Sequence, residues 1–295
     1  MTSQIQIMSL LKTSPSFLFG KNTHAWELIS EHYRGSAQRW EDDECPWSEK
    51  FLEDLLNIWC RSDFVRESCV RYPQWLSAWS SADSFLTQAR CELSYRKLLA
   101  QQLKGVVDED GFMRILREFR RAEMLRIIWR DCMNQSALDE TLADVTALAD
   151  ECVKVALNFA YLQLIERYGV PRSKSNAQEQ QRMFVLAMGK QGAKELNVSS
   201  DIDLILAYPE SGETDHPKKP IDNHLFFTRL GQKLIHLLDQ VTSDGFVFRV
   251  DLRLRPYGES GSLALNFSAF EDYYQHQGRE WERYAMIKVR IVNAA

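Results

Sequence analysis

Three short stretches carry residue types that do chemistry together. Gly189-Lys190-Gln191-Gly192 follows an apolar run, Met183–Met188; Ser199-Ser200-Asp201-Ile202-Asp203 comes next; and Asp251 lies further on, among Arg249, Arg253 and Arg255. Two glycines after a buried strand let backbone amides approach a phosphate closely, and Lys190 adds positive charge there. Asp201 and Asp203, two apart at the start of a strand, leave the backbone from one face. Their charges repel unless a cation lies between them. A strand carrying Asp251 beside that one would bring up a third carboxylate. Three convergent carboxylates suit Mg²⁺ or Mn²⁺, hard cations that prefer oxygen ligands. Two such ions about 3.5–4 Å apart serve phosphoryl or nucleotidyl transfer, with nearby arginines neutralising phosphate charge. Taken singly, a Gly-x-x-Gly is a turn, an Asp-x-Asp a solvated strand end, and an arginine-rich strand face a set of surface salt bridges. The ordered combination is far more specific.

These residues need a sheet to hold them. Met183–Met188 reads as a strand buried on both faces, and Ile202–Tyr208 as another, broken only by its Asp. Phe246–Leu254 alternates, with Phe246, Phe248, Val250, Leu252 and Leu254 on one side. A polar loop, Pro209–Pro220, and an amphipathic helix near Asp222–Gln240 separate the second and third strands. A brief strand is expected at Ser262–Leu265. Ser268 and Glu271 then form a capping box that opens a helical stretch to about Val289.

Upstream, Trp26–Tyr168 has helical apolar spacing. Asp110 is placed to cap a helix that runs through Met113, Leu116, Phe119 and Met124. Its arginines, Arg114, Arg117, Arg120, Arg121, Arg126 and Arg130, read as a solvated or partner-facing surface. Gly169 and Pro171 end the last helix of this half. Seven of the eight Trp lie here and read as core anchors. Pro171–Gln181 is polar and aperiodic, the best linker in the chain. The predicted class is α+β: a helical region, 1–171, then a mixed-sheet domain, 172–295.

Composition narrows the field. The 295 residues carry 36 basic and 41 acidic side chains, a formal net charge of -5, so no broad nucleic-acid surface is expected. No run approaches the roughly 18 apolar residues of a membrane span, and no signal peptide is read at the start. The six cysteines never form Cys-x-x-Cys and read as buried free thiols of a cytoplasmic protein. No two of the six His stand at a metal-ligand spacing, and no Gly-x-Ser-x-Gly supports acyl transfer.

The ordered strand, glycine turn, Asp-x-Asp strand and later Asp strand resemble the nucleotidyltransferase superfamily related to DNA polymerase beta. More closely, LAMGKQGAKELNVSSDIDLILAYPE and the stretch from Ile221 to Val292, with LREFRRAEMLRIIWRD at Leu116–Asp131 upstream, are similar to the glutamate–ammonia ligase adenylyltransferase family. That resemblance implies a metal-binding catalytic triad of Asp201, Asp203 and Asp251. It also implies phosphate or nucleotide contacts at Gly189, Lys190, Gly192 and Ser200. Arg253, Arg255 and Glu259 fall in the family's Arg-Leu-Arg-Pro-x-Gly-Glu segment, and Lys288 in its basic final helix.

Family members hold two nucleotidyltransferase domains, and the ending Glu282-Arg283-Tyr284-Ala285-Met286-Ile287-Lys288 resembles the first copy. The resemblance therefore implies phosphorolysis of adenylyl-tyrosine on glutamine synthetase, releasing ADP, in control of nitrogen assimilation. Mg²⁺ or Mn²⁺, phosphate and an adenine nucleotide would take part. Transfer of AMP from ATP to a protein tyrosine is the alternative reaction, and a nucleotide- or partner-binding fragment without turnover is the non-catalytic one. Relative to the family, later helical segments and a second catalytic domain are missing, so a nitrogen-signalling regulatory protein is expected to engage only the longer members.

Overall fold

The structure is a computed structural model that describes residues 4–35, 45, 47–80 and 85–293. It is α+β, with a helical N-terminal region and a mixed sheet of five strands among the described residues. The chain gathers into two compact units: Met1–Ala89 with Arg121–Thr141, and Arg90–Arg120 with Leu142–Ala295.

The first unit contains α1 (Gln4–Lys12), α2 (Ser16–Gly35), α3 (Glu49–Trp59), α4 (Asp63–Arg71) and α5 (Gln74–Trp79). Ser48 and Ser62 start α3 and α4 by accepting from the amides of Phe51 and Val65, which satisfies donors that a helix end leaves free. Trp26, Trp47, Trp59, Trp79 and Trp129 are buried in this unit's core, as the sequence predicts. Trp47 meets the Trp26 and Tyr33 rings edge-on at 6.1 and 5.5 Å. Trp40 lies outside the described residues.

Two further helices are α6 (Glu92–Gln102) and α7 (Glu109–Cys132). At the start of α7 the cap is Asp108, whose carboxylate accepts from the Gly111 amide at 2.7 Å; Asp110, the expected cap, lies inside the first turn. The expectation of a solvated arginine face on α7 is overturned as well. Arg117, Arg126 and Arg130 are buried, while Arg114 is exposed. Arg126 pairs with the buried Glu123 at 2.8 Å, and Arg130 reaches Glu140 at 2.7 Å. Guanidinium donors can enter a core where carboxylates and carbonyls receive them.

The sheet unit takes α8 (Leu138–Tyr168) from Leu142 onward. Val145, Leu148, Ala149, Cys152, Val153, Ala156 and Ala160 of α8 are fully buried. Gly169, at φ 81°, ends it as expected, its amide donating to the Ile165 carbonyl. The 171–181 segment, read as a linker, is tied down by hydrogen bonds to residues 210–215. Arg172 pairs with Asp215 at 2.7 Å, the Arg172 amide bonds the Glu213 carbonyl, and Glu210 accepts from Ser175.

β1 (Phe184–Ala187) and the single turn α9 (Gly189–Gly192) precede β2 (Ile202–Tyr208). α10 (Asn223–Asp239) follows, capped by Asp222. Then come β3 (Val250–Asp251), β4 (Ala264–Asn266), α11 (Phe267–His276), α12 (Glu280–Ala285) and β5 (Arg290–Ile291). β1 lies antiparallel between β2 and β5. β3 and β4 both pair parallel with β2, at its beginning and its end. All of β2 except Asp203 is buried, which is why its sequence is almost wholly apolar.

Two expectations are corrected in this part of the chain. The alternating strand 246–254 shrinks to Val250–Asp251, because adjacent Val247 and Phe248 are both buried and both amides donate to the Leu238 carbonyl at the end of α10. The helical stretch to Val289 is capped by Asn266, which accepts from Ala269, and divides near Gly278 into α11, α12 and a 3-10 turn at Met286–Lys288. Among the cysteines, Cys45, Cys69 and Cys152 are buried free thiols, whereas Cys91 is exposed. No helix among the described residues is long and apolar enough to cross a membrane.

Candidate active site

β2 and β3 place the acids. Their parallel register sets Asp203 opposite Asp251, and the Ile202 amide donates to the Arg249 carbonyl at 2.9 Å. Asp201 stands one residue before β2, two from Asp203. Three acids thus meet at one end of one strand pair. α9 closes on the same end: the Met188 amide donates to the Asp203 carbonyl at 2.8 Å. Gly189 has φ 53°, and a Cβ on it would lie 2.6 Å from Asp203 Oδ2. Only glycine meets both conditions without strain.

The charges around these acids are unevenly satisfied. Asp251 accepts from the Arg253 side chain and from the Arg253 amide, each at 2.8 Å, and this pairing holds its carboxyl below the usual range. Asp201 accepts from Arg249 at 2.7 Å. Asp203 has no such arginine contact. Its half-buried position pushes its carboxyl up, and the neighbouring Asp251 and Asp201 charges push further, against Arg253 and Lys190. Among the described residues no three His, Cys, Asp or Glu side chains close into a preformed metal cage. Asp201 and Asp251 are engaged with arginines instead.

The other expected contacts sit around this centre in differing states. Lys190 is exposed and reaches toward Ser200 Oγ at 3.4 Å, while Ser200 donates to Asn197 at 2.6 Å. Arg255 is occupied with the carbonyls of Leu252, Glu259 and Gly261, so it staples its own loop. Glu259 is exposed on that loop, its charge favouring the Arg253 cation. Lys288 pairs with Glu195 at 3.0 Å, and its carbonyl lies against Gly192.

Gly192 allows that approach: a Cβ there would lie 2.0 Å from the Lys288 carbonyl oxygen and 2.6 Å from that of Ala187. Both obstacles are backbone, so neither can swing aside. Gly192→Ala should cost about 2–3 kcal/mol through overpacking, seen as a lowered thermal midpoint. A midpoint equal to the parent's would show that α9 does not press on the 286–288 turn.

Sequence reasoning missed two residues behind α9, Asp150 and Arg290. Asp150 of α8, 4% exposed, accepts from Gln191 Nε2 at 2.9 Å and pairs with Arg290 of β5 at 2.8 Å. Burial pushes the Asp150 carboxyl up, with Arg290 and Gln191 opposing. A charged residue within the apolar run Leu148-Ala149-Asp150 was the available signal.

Matches with known proteins cover most of the chain. The family model described as glutamate-ammonia ligase adenylyltransferase matches residues 52–295. The chain is similar to the bifunctional glutamine synthetase adenylyltransferase/adenylyl-removing enzyme of Pseudomonas aeruginosa, 51% identical over 83% of this chain and 25% of that protein. The protein of the same description from Hahella chejuensis is 49% identical over 82% of this chain and 25% of its own length. The one from Shewanella oneidensis is 42% identical over 96% and 29%. The chain therefore spans about a quarter of the length of these curated relatives. Its matched residues include every acid, glycine and cation assembled around β2 and α9, and the chain belongs to the glutamate–ammonia ligase adenylyltransferase family.

Proposed function

We propose that this chain is a polymerase-beta-like nucleotidyltransferase that removes AMP from an adenylylated tyrosine of glutamine synthetase by phosphorolysis. The observation that carries the reading is the register of β2 and β3, which sets Asp203 beside Asp251 with Asp201 two residues away. The resemblance of Glu282–Lys288 to the first of the family's two catalytic domains supports removal over addition, and the relatives' description includes an adenylyl-removing enzyme.

The donor set suits Mg²⁺ or Mn²⁺. It offers carboxylate oxygens only, and Asp203 is half-buried next to two like charges that a divalent cation would balance. Asp201, Asp203 and Asp251 would hold the metal, which when bound neutralises charge on the phosphates and on the departing tyrosyl oxygen. The chain's own residues bind and orient. Backbone around Gly189 and Gly192, with Lys190 and Ser200, would face phosphate. Arg253 and Arg249 would pass from their carboxylates to phosphate oxygens as charge arrives, and Lys288 stands exposed beyond Glu195. A phosphate oxygen attacks the AMP phosphorus in line, a P–O–P bond forms, and the bond to the tyrosyl oxygen breaks. The products are ADP and tyrosine, whose oxygen takes up a proton. Positioning and charge stabilisation do the work, without a covalent enzyme intermediate.

Incubation with adenylylated and with unmodified glutamine synthetase tests the reading. ADP release that requires both phosphate and the adenylylated form is the expected result. Pyrophosphate release from ATP with the unmodified form would instead assign AMP addition.

A further inference from the structure

We infer that Asp150, Gln191 and Arg290 form a buried positioning network that sets the α9 turn against Asp203, and so tunes how the site takes up phosphate. The inference rests on the phosphorolytic reading for its kinetic consequence, and on geometry alone for the turn.

α9 is only four residues long, too short to hold itself in place. It is gripped from behind at several atoms. The Gln191 side chain, fully buried, donates to Asp150 Oδ1 at 2.9 Å. The Gln191 carbonyl accepts from Arg290 Nη2 at 3.0 Å, and the Gly192 carbonyl accepts from Arg290 Nε at 3.4 Å. Arg290 closes the ring onto Asp150, with Nη2 to Oδ1 at 3.1 Å and Nη1 to Oδ2 at 2.8 Å. One turn further along, the Leu196 amide donates to Thr146 Oγ1 at 3.2 Å, so α8 holds the loop after α9 as well.

This grip bears on the acids because the other side of α9 touches them. The Met188 amide bonds the Asp203 carbonyl, and Gly189 lies against the Asp203 carboxylate. A turn released from Asp150 would move relative to Asp203. Gln191 Oε1 is itself buried without a hydrogen-bond partner, so the amide depends on Asp150 for its satisfaction. None of the three network residues faces the acids directly. They act through the turn.

Asp150→Asn, Arg290→Gln and the double variant test this in the full chain. Hydrogen exchange is read at the amides of residues 189–194, with residues 202–206 of β2 as the internal reference. In Asp150→Asn the turn amides should exchange about tenfold faster while β2 stays within about twofold. The apparent KM for inorganic phosphate should rise about tenfold with kcat within about threefold, since binding geometry is lost rather than folded enzyme. The double variant should be little worse than either single one, because the residues act as a unit. If Asp150→Asn does not fold, Arg290→Gln, whose side chain is 23% exposed, carries the same two readouts.

Unchanged exchange at 189–194 would overturn the inference. So would a loss confined to kcat in proportion to lost folded protein, which marks a merely structural role. Absence of phosphate-dependent ADP release in the parent would sink the functional reading separately, and the exchange data would still decide whether the network holds the turn.

Discussion

Asn in place of both Asp201 and Asp203 should leave a folded protein whose phosphate-dependent ADP release falls by about 10³-fold or more. The size follows from what the acids do: they cluster negative oxygen donors at the β2–β3 end, and no backbone group there can replace that charge. The fold should not suffer. Burial and like charges raise the Asp203 carboxyl above its unfolded value, so its ionised form works against the native state once pH exceeds that unfolded value. A neutral amide removes that opposition at neutral pH. The double variant should therefore melt at or slightly above the parent's temperature while turnover disappears. Loss of activity together with a lowered melting point would mean that the acids are structural. Activity within tenfold of the parent would remove them from the chemistry.

Arg117→Met should show the opposite pattern, a large stability loss arising well away from the acids. Arg117 is fully buried and donates to four carbonyls: Met113 at 3.1 Å, Gly245 at 2.9 Å, Leu237 at 3.2 Å and Gln240 at 2.5 Å. Three of these belong to the end of α10 and the turn after it. Methionine fills a similar volume but takes their guanidinium donor from the Leu237 and Gln240 carbonyls, whereas Gly245 keeps the Thr242 amide and Met113 its helix bond; each unsatisfied buried carbonyl costs about 1–3 kcal/mol. Part of that is offset, because burial already strains the cation; its pKa is pulled down by desolvation, with only Asp244 opposing. A net loss of about 2–4 kcal/mol is expected, or about 3–6 °C in the thermal midpoint for a protein of this size. Arg114→Met, at a side chain 62% exposed, should change stability by less than about 0.5 kcal/mol. Equal midpoints for the two variants would show that the four hydrogen bonds contribute nothing net.

Arg117 also shows where sequence reading reaches its limit. An arginine on a helix reads as solvated, because nothing local reveals four carbonyls more than a hundred residues away in three of the four cases. Asp150 is hidden for the same reason, since Arg290 lies 140 positions along the chain. β2 was readable because a strand buried on both faces must be apolar, which made Asp203 conspicuous within it. Its pairing with Asp251 was readable as a possibility, and the parallel register realises it. The rest of the 246–254 strand was misread. Alternation there is real in the sequence, yet Val247 and Phe248 both turn inward to close the end of α10. Spacing identifies which residues a strand would present; it does not say where a loop takes over. The glycine turn was readable as a turn, while the grip of α8 and β5 behind it required tertiary contacts.

The most direct measurement follows the phosphorus. Adenylylated glutamine synthetase, labelled orthophosphate and Mg²⁺ or Mn²⁺ are incubated with the chain, and the nucleotide product is separated. The proposed phosphorolysis predicts ADP with the label in its β-phosphoryl group, in amount equal to the tyrosine freed. Unlabelled AMP as the product, or no product that depends on Asp203, would contradict it.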